Sequence, residues 1–202
     1  MNSPRLLIGL SAVMVALKDG EPHVLVSRRP SGEDSLPFGP FDPVNHRTFD
    51  LSLRGWVREQ TGFEIGYVEQ LYTFGDKDRD TPEATLTDTP TGSRVISVGY
   101  LALTPEARPA GASFDARWQD WYHYFPWEDH RTRRPPILDA EIAPRLKTWA
   151  AGNPGRLERA RLAFGLDGTR WIEERVLERY ELLYEAGLVA ECTRDAGLPD
   201  TG

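Results

Sequence analysis

Two apolar runs rich in branched residues, Leu6 to Leu17 (LLIGLSAVMVAL) and Arg94 to Leu103 (RVISVGYLAL), constrain this chain more than any other feature. Each falls short of the roughly 20 residues that span a bilayer, so each reads as a buried strand. Lys18-Asp19-Gly20 supplies a turn after the first run, and His23 to Ser27 (HVLVS) returns as its hairpin partner. Between the runs, Phe49, Leu53, Trp56 and Val57 recur at helical spacing and Gly62 follows as a stop. Strands therefore come first, with one helix inserted among them.

The intervening segments are turn chemistry. Pro30 to Pro43 is dense in Pro, Gly and Asp and reads as loop; Glu64 to Phe74 reads as strand and loop; Asp76 to Pro90 is a polar excursion. Beyond Pro136 the periodicity turns helical, over Asp139 to Ala150, Arg156 to Phe164 and Trp171 to Ala186. In the last, Ile172, Val176, Tyr180 and Leu183 form an apolar stripe that Gly187 ends. The class is α/β (α+β), with a domain over 1–150 and a helical extension over 151–202 in which no complete winged helix is recognised.

With 202 residues, the chain is long enough for an ordinary domain and its core. A net charge of -7 argues against a uniformly basic protein that coats nucleic acid. The lone Cys192 permits neither an internal disulfide nor a cysteine cluster, which points to the cytoplasm. Pro4 and Arg5 precede the first run without a convincing cleavage site, so no signal peptide and no membrane association is expected.

Four segments together resemble the Nudix fold: the hairpin ending in VSRR, Leu36-Pro37-Phe38-Gly39 before the helix, the helix end Arg58 to Phe63 (REQTGF), and Gln70 to Asp80 (QLYTFGDKDRD) followed by RVISVGYLAL. The last pair is similar to the ADP-ribose branch and to Nudix-related transcriptional regulators of NAD metabolism. Trp171 to Val189 (WIEERVLERYELLYEAGLV) resembles regulators of that kind. The resemblance implies an α/β/α sandwich with a mixed sheet, an adenine dinucleotide or ADP-ribose effector, a homodimer, and operator DNA as a partner.

A working Nudix helix gathers glutamates on one face to hold magnesium against a diphosphate. Aligned on Gly62 and Phe63, this chain has Gly55 where the motif expects Arg, and Trp56 and Gln60 where it expects Glu. Glu59 alone remains, and the upstream Glu position falls near Arg47. Between His46 and Thr61 the only acids are Asp50 and Glu59. A separation of roughly 900° of helical rotation puts them on opposite faces. No catalytic residue and no metal or other cofactor is assigned; magnesium enters only if Asp76, Asp78 and Asp80 act as substitute ligands.

The ligand-binding candidates are Arg28, Arg29, Phe74, Asp76, Asp78, Arg79 and Asp80. Arginine suits phosphate, Phe74 a base and the aspartates ribose hydroxyls; the blander readings are a solubilising pair and an acidic turn. The aromatic run Trp118 to Trp127 reads as core packing, with a stacking platform as the alternative. His123 and His130 lie near Asp129 without a nucleophile and read as structural. From His130 to Arg161 bases outnumber acids, and Arg131, Arg133, Arg134, Arg156, Arg159 and Arg161 could meet a phosphate backbone. The alternatives are a solvated helix face, or DNA contact through a region outside this chain.

The reading that results is an effector-binding domain of a regulator of NAD biosynthesis that senses a nucleotide without hydrolysing it. The alternatives are a divergent hydrolase of ADP-ribose and a non-catalytic scaffold for protein interaction.

Overall fold

Strand β1 (Leu6–Lys18) is central to a seven-stranded mixed sheet ordered β3-β2-β1-β6-β5. The computed structural model describes residues 6–29, 32–75, 94–105, 107–108 and 114–195. The first strand turns through Asp19 and Gly20, whose φ angles of 53° and 83° make the two-residue connection that matches strand twist. It returns as β2 (Glu21–Arg28), with Lys18 opposite Glu21. On its other side β1 runs parallel to β6 (Arg94–Thr104), from Leu6 opposite Arg94 to Ala16 opposite Thr104. The two apolar runs thus pair with each other along their length. β5 (Val68–Phe74) lines the far edge of β6, antiparallel and with an irregularity between Gln70 and Tyr72; β7 (Ala116–Asp120) lines β2.

The stretch expected as loop from Pro30 to Pro43 contains two short strands, β3 (Asp34–Ser35) and β4 (Phe38–Pro40). Gly9 and Ser11 of β1 meet Pro40 and Phe38 of β4, while β3 pairs with the end of β2. Pairing with distant strands overrides the local turn composition here. The result pins Phe38 and Gly39 beside the following helix.

That helix, α1 (Phe49–Thr61), begins at Thr48, whose side chain accepts from the Leu51 N–H at 3.2 Å. It ends at Gly62, which takes φ 73° and donates to Arg58 O. Leu53 and Val57 pack on alternate β1 and β6 residues, Leu10, Ala12, Met14, Val98, Tyr100 and Ala102, and this is the first core. Period-two strands and a period-3.6 helix meet on one apolar face.

The chain separates into two compact units, Met1–Trp121 and Tyr122–Gly202. The division expected at residue 150 falls inside the second unit, between its helices. A short helix α2 (Trp121–Tyr124) spans the junction. The second unit then has a wide π turn over Leu138–Ile142 leading into α3 (Ala143–Trp149), followed by α4 (Pro154–Phe164), α5 (Val176–Glu185) and α6 (Ala190–Asp195). Its core gathers Leu138, Leu146, Ala160, Phe164, Leu182 and Leu183.

The stripe expected on the last long helix needs correction. Trp171 and Ile172 precede it in extended chain, and a 3-10 turn at Glu173–Arg175 starts the helix proper. Val176 is 50% exposed and Ile172 37% exposed, whereas Arg179, Leu182 and Leu183 are buried. The side chain that rotates inward is charged, because Glu128 waits for it. Arg179 Nε and Nη2 donate to the two Glu128 oxygens at 2.6 and 2.8 Å, and its remaining N–H groups reach the carbonyls of Ala163, Ile172 and Glu173. Its guanidinium also lies 3.9 Å from the Trp171 ring, against which His130 stacks at 4.1 Å. Gly187, at φ 70°, ends α5 as expected, with Leu188 N–H donating to Leu183 O.

Candidate functional site

The helix face that a metal centre requires is occupied by other work. Trp56 Nε1 donates to Pro40 O at 3.1 Å, and its indole lies so close over Gly39 that any Cβ there would overlap the ring. Gln60 makes a two-sided amide clasp with Phe38: the Phe38 N–H donates to Oε1 at 3.2 Å and Nε2 donates to the Phe38 carbonyl at 2.5 Å. A carboxylate at residue 60 could accept the first of these but not donate the second. Trp56 and Gln60 therefore bolt β4 onto α1.

Of the remaining acids, Asp50 is bound by Arg54 at 3.0 Å, and Arg54 continues to the Ile65 carbonyl. Glu59 stands exposed and faces a cleft of about 280 Å³ lined by Asn45, His46, Arg47, Leu51, Ser52, Gly55 and Trp56. Among the described residues, no group of three or more His, Cys, Asp or Glu side chains is placed to hold a metal ion. Glu59 therefore faces the cleft without a second carboxylate beside it among the described residues, and the neighbouring Trp56 and Gln60 side chains, tied to β4, offer magnesium no further oxygen ligand in octahedral order.

The cleft wall before α1 is a knotted turn. Asp42 takes the Val44 N–H at 2.8 Å and the Asn45 Nδ2 at 2.5 Å, and these bonds, the Val44 N–H first, hold its carboxyl below the ordinary aspartate value. The Asp42 N–H donates to His46 Nδ1 at 3.0 Å, and the His46 N–H returns to Asp42 O. Ser52 Oγ lies 2.8 Å from the same Nδ1. A backbone N–H can only donate, so Nδ1 carries no proton and the ring N–H sits on Nε2. With Nδ1 unprotonated, the Ser52 hydroxyl is the donor in its contact and shares the Nδ1 lone pair with the Asp42 N–H. The ring is further fixed edge-on to Trp56, with centroids 6.2 Å apart.

The sequence candidates are dispersed. Arg28 is exposed at the end of β2; Arg29 rests its guanidinium 5.4 Å from the Phe38 ring centroid, and its buried Nε has no hydrogen-bond partner among the described residues. Phe74 ends β5 against Tyr72. Strand order separates β2 from β5 by two strands, about 14 Å. Asp76, Asp78, Arg79 and Asp80 lie outside the described residues. The aromatic run is split: Trp118 packs on Phe63 and the first core, Trp127 on the second. Sequence reading passed over His46, and noted Arg47 only as the residue near a missing carboxylate. That reversal of charge was the available signal.

The basic cluster is largely neutralised within the second unit. Arg131 is bound by Asp129, Arg134 by Asp139, Arg159 by Glu185 and Arg161 by Glu158. Arg156 lies over the Trp149 ring at 4.7 Å, and Arg133 is exposed. His130 is half-buried; burial, reinforced by Arg134, holds its imidazole below the ordinary histidine value. No helix among the described residues is long and apolar enough to cross a membrane.

No protein-family model matches the chain, and no curated protein is significantly similar to it. Among solved structures, the Nudix domain of Shewanella oneidensis NrtR complexed with ADP-ribose matches with a TM-score of 0.50 and 21% identity, over 62% of this chain and 79% of that one. A crystal structure of Shewanella oneidensis NrtR matches with a TM-score of 0.47 and 19% identity, over 87% and 83%. A MutT/nudix family protein from Enterococcus faecalis matches with 0.46 and 25%, over 59% and 45%. The first of these likenesses establishes the class of fold: a Nudix-like mixed sheet with flanking helices.

Proposed function

We propose that this chain is a nucleotide-sensing Nudix-like module of a transcriptional regulator of NAD metabolism, which binds ADP-ribose or an NAD-type dinucleotide and does not hydrolyse it. The observation that carries this reading is the pair of ties from Trp56 and Gln60 to β4. Side chains at two metal-ligand positions are committed to holding the fold, and Glu59 alone cannot anchor a divalent ion against a diphosphate. The ADP-ribose bound to the similar Nudix domain of Shewanella oneidensis NrtR supports the choice of ligand.

Sensing requires that the nucleotide bind one conformation better than another. Arg131, Arg134, Arg159 and Arg161 are engaged with their own acids, which leaves Arg133 and Arg156 as the candidates of this set for operator contact. Calorimetry with ADP-ribose, followed by chromatography of the same sample, tests the reading. Saturable binding with the ligand recovered intact is expected. Conversion to AMP at enzymic rates would establish the hydrolase instead, and an absence of binding to ADP-ribose and NAD would favour a scaffold.

A further inference from the structure

We propose that Arg47 and the Nε2–H of His46 replace the divalent metal, so that the cleft beside α1 binds a diphosphate directly, as a metal-free anion site. The assignment of the biological diphosphate rests on the nucleotide-sensing reading above; the site itself does not.

Both side chains line the cleft that Glu59, Gly55 and Trp56 complete. Arg47 is exposed and has no ion-pair partner among the described residues, unlike Arg54 on the helix, which is spent on Asp50 and Ile65. Its fork of donors suits phosphate oxygens. His46 is oriented by the turn around Asp42: with Nδ1 accepting from the Asp42 N–H, the ring has one donor left. Gly55 meets nothing where a Cβ would stand, so the backbone leaves the cleft open beside these donors. The amino end of α1 adds positive potential on the same side.

Pockets for whole drug-sized ligands run about 300–1,000 Å³. This one, at about 280 Å³, lies at the bottom of that range and has room for a diphosphate, with the rest of a dinucleotide extending past its open side. In a metal-dependent site, acids attract the ion and the ion attracts the phosphates. Here a cation stands near the upstream acid position, which makes the intermediary unnecessary. Glu59 then opposes the ligand instead of helping it, and that inverts the expected effect of removing it.

The test uses the full chain and inorganic pyrophosphate, titrated by calorimetry in excess EDTA, with circular dichroism confirming that each variant folds. Binding is expected in EDTA. Arg47→Ala should weaken it about tenfold, the worth of one charge-assisted hydrogen bond, and Arg47→Lys should restore part of that loss. Glu59→Gln should strengthen binding, and magnesium, by sequestering the anion in solution, should weaken it. Absence of binding in EDTA, a requirement for magnesium, or weaker binding in Glu59→Gln would each overturn the proposal. ADP-ribose titrated in parallel separates the two claims. If it binds equally to wild type and Arg47→Ala, the anion site is wrong and the sensing reading stands. If only pyrophosphate binds, in the manner predicted, the site stands and the nucleotide reading fails.

Discussion

Replacing Glu128 with alanine should strongly destabilise the second unit. Arg179 is fully buried, and Glu128 is 11% exposed at its side chain. Every N–H of the guanidinium has an acceptor, two of them on Glu128. Deleting the carboxylate strands a desolvated cation between three carbonyls and the face of Trp171. Breaking one partner of a buried pair costs about 3–5 kcal/mol, a large share of the roughly 5–15 kcal/mol that holds a domain together. The Arg159–Glu185 pair supplies the internal comparison. Its contacts are as good, at 2.7 and 3.0 Å, yet its side chains are 52% and 43% exposed. Solvent screening limits such a pair to about 1 kcal/mol or less. Urea denaturation followed by far-ultraviolet circular dichroism distinguishes the two. At about 2 kcal/mol per molar urea, Glu128→Ala should lower the helical midpoint by about 2 M, while Glu185→Ala should barely move it. Equal effects of the two substitutions would refute the argument that burial decides the worth of these pairs.

Other outcomes follow from the same geometry. Gln60→Glu replaces a donor facing the Phe38 carbonyl with a carboxylate oxygen, and should destabilise the first unit by about 1–3 kcal/mol in urea denaturation. Gly39→Ala drives a methyl into the Trp56 indole and should cost about 1–3 kcal/mol, read as a lowered melting temperature. His130 is held below its ordinary value of 6.5 by burial first and Arg134 second, with Arg179 adding and Glu128 and Asp129 opposing. Because the folded value is the lower, the unfolded chain takes the proton first. The contribution of His130 is therefore full above about pH 6.5 and is lost as pH falls through the lowered folded value. Urea midpoints measured from pH 8 to pH 5 should decline in wild type and decline less in His130→Gln.

The sheet was legible because β1 and β6 are long, branched and apolar, and α1 because its apolar spacing runs up to a glycine stop. β3 and β4 were hidden: their residues have turn chemistry, and only pairing to β1 and β2, remote in sequence, makes them strands. The burial of Arg179 was not legible because arginine at a helical position is ordinarily solvated, and Glu128, 51 residues earlier, leaves no local trace. The Arg159–Glu185 pair was hidden for a similar reason, since it forms across the fold, whereas Arg131–Asp129, Arg134–Asp139 and Arg161–Glu158 join near neighbours in sequence. At the site, the motif showed that carboxylates were missing, but not that Trp56 and Gln60 had been given another task. That depends on how close β4 comes to α1, which spacing alone does not encode.

The most direct measurement of the central claim is a manganese(II) titration of the full chain followed by electron paramagnetic resonance. The helix face described above predicts that the spectrum of free aqueous manganese persists at every protein concentration. A bound-manganese signal that disappears in Glu59→Gln would contradict it, by showing that the surviving glutamate still anchors a metal centre.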